Sequence, residues 1–165
     1  MVAINKEEAL KNLKRDGLIF GVYISEDNKI LICKTPFFHQ LSLPCVKLNE
    51  GEDISYQFDP MFRNEFQITP EIKQYLELTR GFYEENNIGK NGNFICLHIE
   101  EYAEYPLKKK PMLKPSGNYS EMQYITYEEA LELYHKNEIT NYSMFYIFRI
   151  KEVLDENMAN NRNNV

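Results

Sequence analysis

Three acidic groupings are the residues of this sequence best equipped to do chemistry. Glu50 and Glu52 flank Gly51 in a polar stretch after a short apolar run. Glu84 and Glu85 are adjacent, with Arg80 and Glu77 ahead of them. Glu121 comes just before an apolar stretch and just after a segment rich in Pro and Lys. The pattern around the middle grouping predicts a helix over 69–87, with Thr69 as cap, Pro70 at the first position and Glu71 in the first turn. Ile88-Gly89 and Asn91-Gly92 mark its exit. Residues three and four apart share a helix face, which puts Glu77, Glu84 and Glu85 broadly on one side. Ile72, Tyr75, Leu76 and Phe82 then fall on the other. Neighbouring carboxylates repel unless a cation lies between them. Mg²⁺ or Mn²⁺ takes oxygen ligands from one or two carboxylates, waters and phosphates, which suits such a pair. The plainer alternative is a solvated acidic face.

Other candidates are weaker. Lys108, Lys109, Lys110 and Lys114 could meet substrate phosphates, or they could be an ordinary polar loop. His39, His98 and His135 have no ligand spacing. Cys33, Cys45 and Cys96 are odd in number and far apart, so they read as reduced thiols rather than a zinc site or a disulfide framework. Tyr102, Tyr105, Tyr119 or Phe37 could stack on a base, but with 12 Tyr and 10 Phe most aromatic rings must serve packing. The net charge of −6 disfavours a nonspecific binder of duplex nucleic acid or of an anionic membrane. No run approaches the ~20 apolar residues of a membrane span, and a cytoplasmic location is the expectation.

The elements that must position these groups read as follows. A short leading helix or arm covers 4–14, and strands are expected at 18–24 and 29–34 around the turn at 25–28. A short extended run at 43–48 leads into the loop 49–53. The residues 54–69 are aromatic and aperiodic. Beyond the 69–87 helix come a strand at 94–102, a loop at 108–120 and a strand at 122–126. A helix starts at Tyr127 with Thr126 as cap, and a last helix covers 141–150. From Lys151 the chain turns polar. Strands mixed with helices in 165 residues point to an α/β or α+β fold.

Two segments carry a resemblance to a known family. The run Leu43-Pro44-Cys45-Val46-Lys47-Leu48-Asn49-Glu50-Gly51-Glu52 resembles the start of the Nudix box, where a Pro-Gly-Gly-Lys strand enters a Glu-Gly-Glu loop. The run Arg80-Gly81-Phe82-Tyr83-Glu84-Glu85-Asn86-Asn87-Ile88 is similar to its second half, Arg-Glu-U-x-Glu-Glu-x-Gly-U, with U a bulky apolar residue. Glu121 before a strand, followed by Glu128-Glu129-Ala130-Leu131, is similar to the family's last strand and helix. Three departures accompany the resemblance. Cys45 and Val46 replace the paired glycines, and Gly81 replaces a Glu. The family usually has seven residues between the loop Glu and the Arg, whereas 53–79 is 27 residues long, an insertion of 20.

The resemblance implies a Nudix-like mixed sheet sandwiched between helices. The single domain would span 1–150, with an insertion at about 53–69 and a flexible C-terminal tail at 151–165. It implies a divalent-metal-dependent pyrophosphohydrolase of a nucleoside diphosphate-linked substrate such as ADP-ribose, a dinucleotide polyphosphate or an NTP. Glu84 and Glu85 would hold Mg²⁺ or Mn²⁺ and, with Glu121 as a further ligand or general base, carry catalysis. Arg80 and Glu52 would support them, and Lys109 and Lys110 would bind substrate. The alternative is a Nudix-fold nucleotide-binding or regulatory module without efficient hydrolysis, favoured by Gly81 and the missing glycines. A homodimer is a further expectation, from the general frequency of such assemblies.

Overall fold

The structure is a computed structural model that describes residues 17–49, 51–102 and 115–163. The sequence Gly17–Tyr23 forms β1 and Cys45–Leu48 forms β3, while Ile30–Lys34 forms β2 between them. After the polar loop comes α1, Ile54–Phe66, and then a long hairpin of β4, Pro70–Glu85, and β5, Ile88–Glu101. The chain closes with β6, Ser120–Ile125, α2, Tyr127–His135, and α3, Asn141–Asn163.

β1 pairs in parallel with β5, and the antiparallel partners β3 and β4 complete a four-stranded mixed sheet in the order β3-β1-β5-β4. β2 and β6 make a separate antiparallel pair. The two central strands are apolar on both faces, as strands covered on both sides must be. Leu18, Phe20 and Val22 of β1 face one core with Phe94 and Cys96 of β5 and Met144, Tyr146, Ile147 and Ile150 of α3. Ile19 and Tyr23 face a second core with Ile95, Leu97 and Ile99 and with Ile54, Phe58 and Phe62 of α1. Gly21 lets α1 come close, because a Cβ there would sit 2.6 Å from the Phe62 ring. The result is the expected mixed sheet sandwiched between helices.

The helix expected over 69–87 is instead β4. Pro70 opens a strand at the sheet edge, where a missing N–H costs no ladder bond. The strand turns back through Asn86 and Asn87, with φ of 52° and 64°. Two successive left-handed residues between paired Glu85 and Ile88 make the two-residue turn whose twist matches a hairpin. Register shifts between Ile72 and Gln74 and between Tyr75 and Glu77 break the alternation by which a strand is recognised.

The segment 54–69 carries not an insertion but a helix. Asp53 caps it by accepting from the Ser55 N–H at 3.0 Å. Its buried residues Ile54, Phe58, Met61, Phe62 and Glu65 recur at helical spacing. Gln67, with φ 61°, ends it in the left-handed conformation, and the Ile68 N–H closes on the Phe62 carbonyl at 3.2 Å. Toward the C-terminus, α3 runs on through 151–163, where polarity alone predicts a tail. Buried Leu154 and half-buried Val153 tie that extension to the core. The helix expected at 4–14 lies outside the described residues. Thr126 caps α2 as expected, with reciprocal bonds to Glu129. Cys33, Cys45 and Cys96 are buried thiols, and burial pushes Cys45 up to about 12.

Candidate functional site

A cleft of about 860 Å³ opens where β3, α1 and the tip of the β4–β5 hairpin meet. β3 contributes Val46 and Lys47, and α1 contributes Tyr56, Gln57, Pro60, Met61, Asn64 and Glu65. The hairpin tip supplies Glu85, Asn86 and Asn87, and the segment before β6 supplies Ser116, Asn118 and Tyr119. Phe37 completes an apolar end.

Glu85 bridges two lysines. Its carboxylate accepts from Lys47 Nζ at 2.9 Å and from Lys90 Nζ at 3.3 Å. The hydrogen bond from Lys47 leads in holding its carboxyl below the ordinary range, against partial burial that pushes the other way. Glu65 is 7% exposed, and its Oε1 accepts the Ser116 N–H at 2.9 Å. The Tyr119 hydroxyl donates to the Cys45 carbonyl at 2.7 Å, and burial raises its pKa beyond the tyrosine range. Its ring packs on Phe66 at 6.1 Å, so Tyr119 is a wall rather than a free stacking platform. Tyr56, 68% exposed at the rim, is the available ring.

Of the candidate catalytic, metal-binding and supporting residues singled out by sequence, Glu85 alone among the described residues lines this cleft, together with Phe37 and Tyr119 from the candidate stacking rings. Glu84 is its strand neighbour, and successive strand residues project to opposite faces. It pairs with His39 Nε2 at 2.8 Å instead. The shared helix face that brought Glu84 and Glu85 together in the sequence reading is therefore absent. Glu52 sits on the loop before α1, accepting from Asn49 at 3.2 Å and from Gln57 at 3.4 Å. Arg80 is exposed on β4, opposite Asn93. Glu121 is exposed on β6 with φ 52°, where the β2–β6 register slips, and does not line the cleft. Lys109 and Lys110 lie outside the described residues. Gly81 is filled by its surroundings, since a Cβ there would meet the Phe94 ring at 2.1 Å.

Glu65, Asn64 and Lys47 are cleft residues that the sequence reading passed over. The signal was the family's own spacing. Seven residues beyond Glu52 lead not to Arg80 but to Pro60. From there the pattern Arg-Glu-U-x-Glu-Glu-x-Gly-U falls on Pro60-Met61-Phe62-Arg63-Asn64-Glu65-Phe66-Gln67-Ile68. Phe62 and Ile68 match its two apolar positions and both are buried. Gln67 takes the glycine position with a left-handed φ. No insertion is needed. The polar half of the pattern is largely gone, however, because Pro60, Met61 and Asn64 stand for Arg, Glu and Glu, leaving Glu65.

This donor set does not fit the expected Mg²⁺ or Mn²⁺. Glu65 is engaged by a backbone N–H and Glu85 by two lysines. Among the described residues no three His, Cys, Asp or Glu side chains converge where an ion could be held. What the cleft offers is amides from Gln57, Asn64, Asn86, Asn87 and Asn118, one lysine and an aromatic rim. Such groups can hold ribose hydroxyls and phosphate oxygens by hydrogen bonds.

No family model matches the sequence, and no curated protein matches it. Solved structures do match in shape. The NUDIX hydrolase from Nitrosomonas europaea superposes with a TM-score of 0.64 at 14% identity, covering 84% of this chain and 90% of that one. The NUDIX domain of Shewanella oneidensis NrtR, solved with ADP ribose, gives 0.56 at 14% identity over 92% and 99%. A C. elegans Ap4A hydrolase, solved as a binary complex, gives 0.52 at 13% identity over 86% and 98%. With the sandwiched mixed sheet and the box helix in register after its loop, these likenesses show that the chain has the Nudix fold.

Proposed function

We propose that the protein is a Nudix-fold module that binds a nucleotide-type ligand, a nucleoside diphosphate linked to a second group, without efficient hydrolysis. One observation carries this reading: Pro60, Met61 and Asn64 occupy the in-register box positions for Arg, Glu and Glu while still lining the cleft. A metal-dependent hydrolase concentrates carboxylates on that helix face, because bound ions must polarise the diphosphate and activate water. Here the face keeps a ligand-sized hollow and has exchanged most of its charge for amide and thioether groups. The likeness to an ADP-ribose-bound NrtR domain and an Ap4A hydrolase supports a diphosphate-linked ligand. Lys47 would face the phosphates, and Tyr56 would stack on the base at the rim.

The hydrolase reading retains one observation, that Glu65 and Glu85 line the same cleft. The two readings separate in one titration. Calorimetry with ADP-ribose, a diadenosine polyphosphate and dNTPs, with and without Mg²⁺ or Mn²⁺, is combined with a measurement of phosphate and monophosphate release. The binding module gives saturable binding that needs no metal, is weakened by Tyr56→Ala, and yields no turnover. Metal-dependent turnover that disappears in Glu65→Gln would establish the hydrolase in its place.

A further inference from the structure

A second hollow of about 320 Å³ lies at the carboxyl ends of β1 and β5, and it shares no residue with the cleft. Crevices beyond the carboxyl ends of parallel strands are where α/β sheets commonly receive ligands. The buried imidazole of His98, 6% exposed, lines it. Among the described residues the ring of His98 makes no hydrogen bond. Around it stand Glu26, Glu100 and Glu101, with Asn157 and Asn160 of α3 as neutral partners. Among the described residues no lysine or arginine lines the chamber. Lys73 pairs with Glu71 at 3.2 Å and reaches Glu100 at 3.7 Å, and among the described residues no cation pairs with Glu26 or Glu101.

The chamber is built rather than incidental. Asn28 donates to the Leu154 carbonyl at 3.2 Å, and Asn157 donates to the Asn28 side-chain oxygen at 3.4 Å. These bonds fix the β1–β2 turn against α3, so its walls are set before any ligand arrives. A neutral imidazole keeps one ring nitrogen as an acceptor. Burial, the leading influence on His98, favours that neutral form. A largely buried imidazole that makes no hydrogen bond among the described residues, in a hollow whose exposed Glu26 and Glu101 have no described cationic partner, favours a cation that also donates N–H bonds.

We propose that this chamber binds a small organic cation, an ammonium or guanidinium head, with Glu26, Glu100 and Glu101 balancing its charge and His98 accepting one N–H. A bare metal ion is the poorer occupant, because the acidic side chains do not converge on one point. A head group with donors on several sides can reach separated acceptors.

The test uses the full chain with ¹⁵N-labelled histidine, titrated with putrescine and with agmatine at constant ionic strength set by KCl. The expected result is a saturable shift of the His98 ring resonances. In the double variant Glu26→Gln/Glu101→Gln the apparent affinity should fall about tenfold or more, as loss of charge partners in a confined site does. Both substituted positions are at the rim, so the variant should keep the wild-type spectrum elsewhere. His98→Gln should weaken binding, read by calorimetry, while ADP-ribose binding in the cleft stays unchanged. A shift that does not saturate, that KCl reproduces, or that the double variant leaves intact overturns the proposal. A response to Zn²⁺ or Mn²⁺ with both amines silent overturns it as well.

Discussion

Glu85 shows how one carboxylate changes meaning when its element changes. On a helix beside Glu84 it would be half of a cation site. On the hairpin tip it is the counter-ion of Lys47 and Lys90. Its carboxyl is held below the ordinary range chiefly by the Lys47 hydrogen bond, so the folded state stabilises the ionised form. That contribution is complete above the unfolded carboxylate pKa, about 4.3, and disappears as the pH falls through the lower folded value. The side chain is 24% exposed, so solvent screening keeps the magnitude small, about 1 kcal/mol or less. Glu85→Gln should therefore lower the urea midpoint slightly near neutral pH. Wild type and variant should converge in strongly acidic buffer. An equal gap at both pH values would mean that the side chain contributes packing rather than charge.

At the scale of elements, legibility followed how closely each segment obeyed its own local pattern. β1 and α2 were readable because apolar β-branched residues and a Thr-to-Glu capping box point to the same answer as the tertiary structure. α1 was legible in principle, since Ile54, Phe58, Met61, Phe62 and Glu65 keep helical spacing, but Pro60 inside it and its aromatic content masked the period. β4 misled for the opposite reason. Thr69-Pro70-Glu71 imitates a helix start, and two register shifts remove the alternation of a strand. The site inherited that error, because the spacing from Glu52 was counted to the wrong Arg-like segment. Gly81 follows from the same correction. In a helix it is a lost carboxylate, and restoring Glu should help. In β4 it is the space occupied by the Phe94 ring, which is fully buried and contacts Phe20, Phe38 and Tyr142. A Cβ 2.1 Å from that ring forces it out of place. Gly81→Ala should cost about 1–3 kcal/mol, the usual range for overpacking a core. Gly81→Glu should be worse, and neither should raise any hydrolytic rate. Denaturant midpoints for the pair give the check, and a neutral or stabilising Ala would contradict the packing described.

For the molecule as a whole, both faces of one sheet are covered, so a polar group on a central strand is taken out of water by folding. His98 is that group on β5, paired in register with Val22 of β1 and set on the side covered by α3. Burial is the main cause of its lowered pKa, with Glu100 opposing and Lys73 reinforcing. The unfolded chain takes up a proton near pH 6.5, whereas the folded chain resists it until a lower pH. Between those two values the unfolded state holds more protons, so acidification favours unfolding there. Stability should be full above about pH 6.5 and should decline as the pH falls toward the folded value. This window is separate from the more acidic one belonging to Glu85. His98→Gln keeps a polar side chain that cannot titrate, so its stability should be flat across that interval while wild type slopes. Urea unfolding at about pH 7.5, 6.5 and 5.5 reads the slope directly. Parallel curves for wild type and His98→Gln would show that the ring gains its proton at no cost in the fold. The central strand would then carry no buried neutral imidazole, and the chamber at its end would lose the acceptor on which cation binding depends.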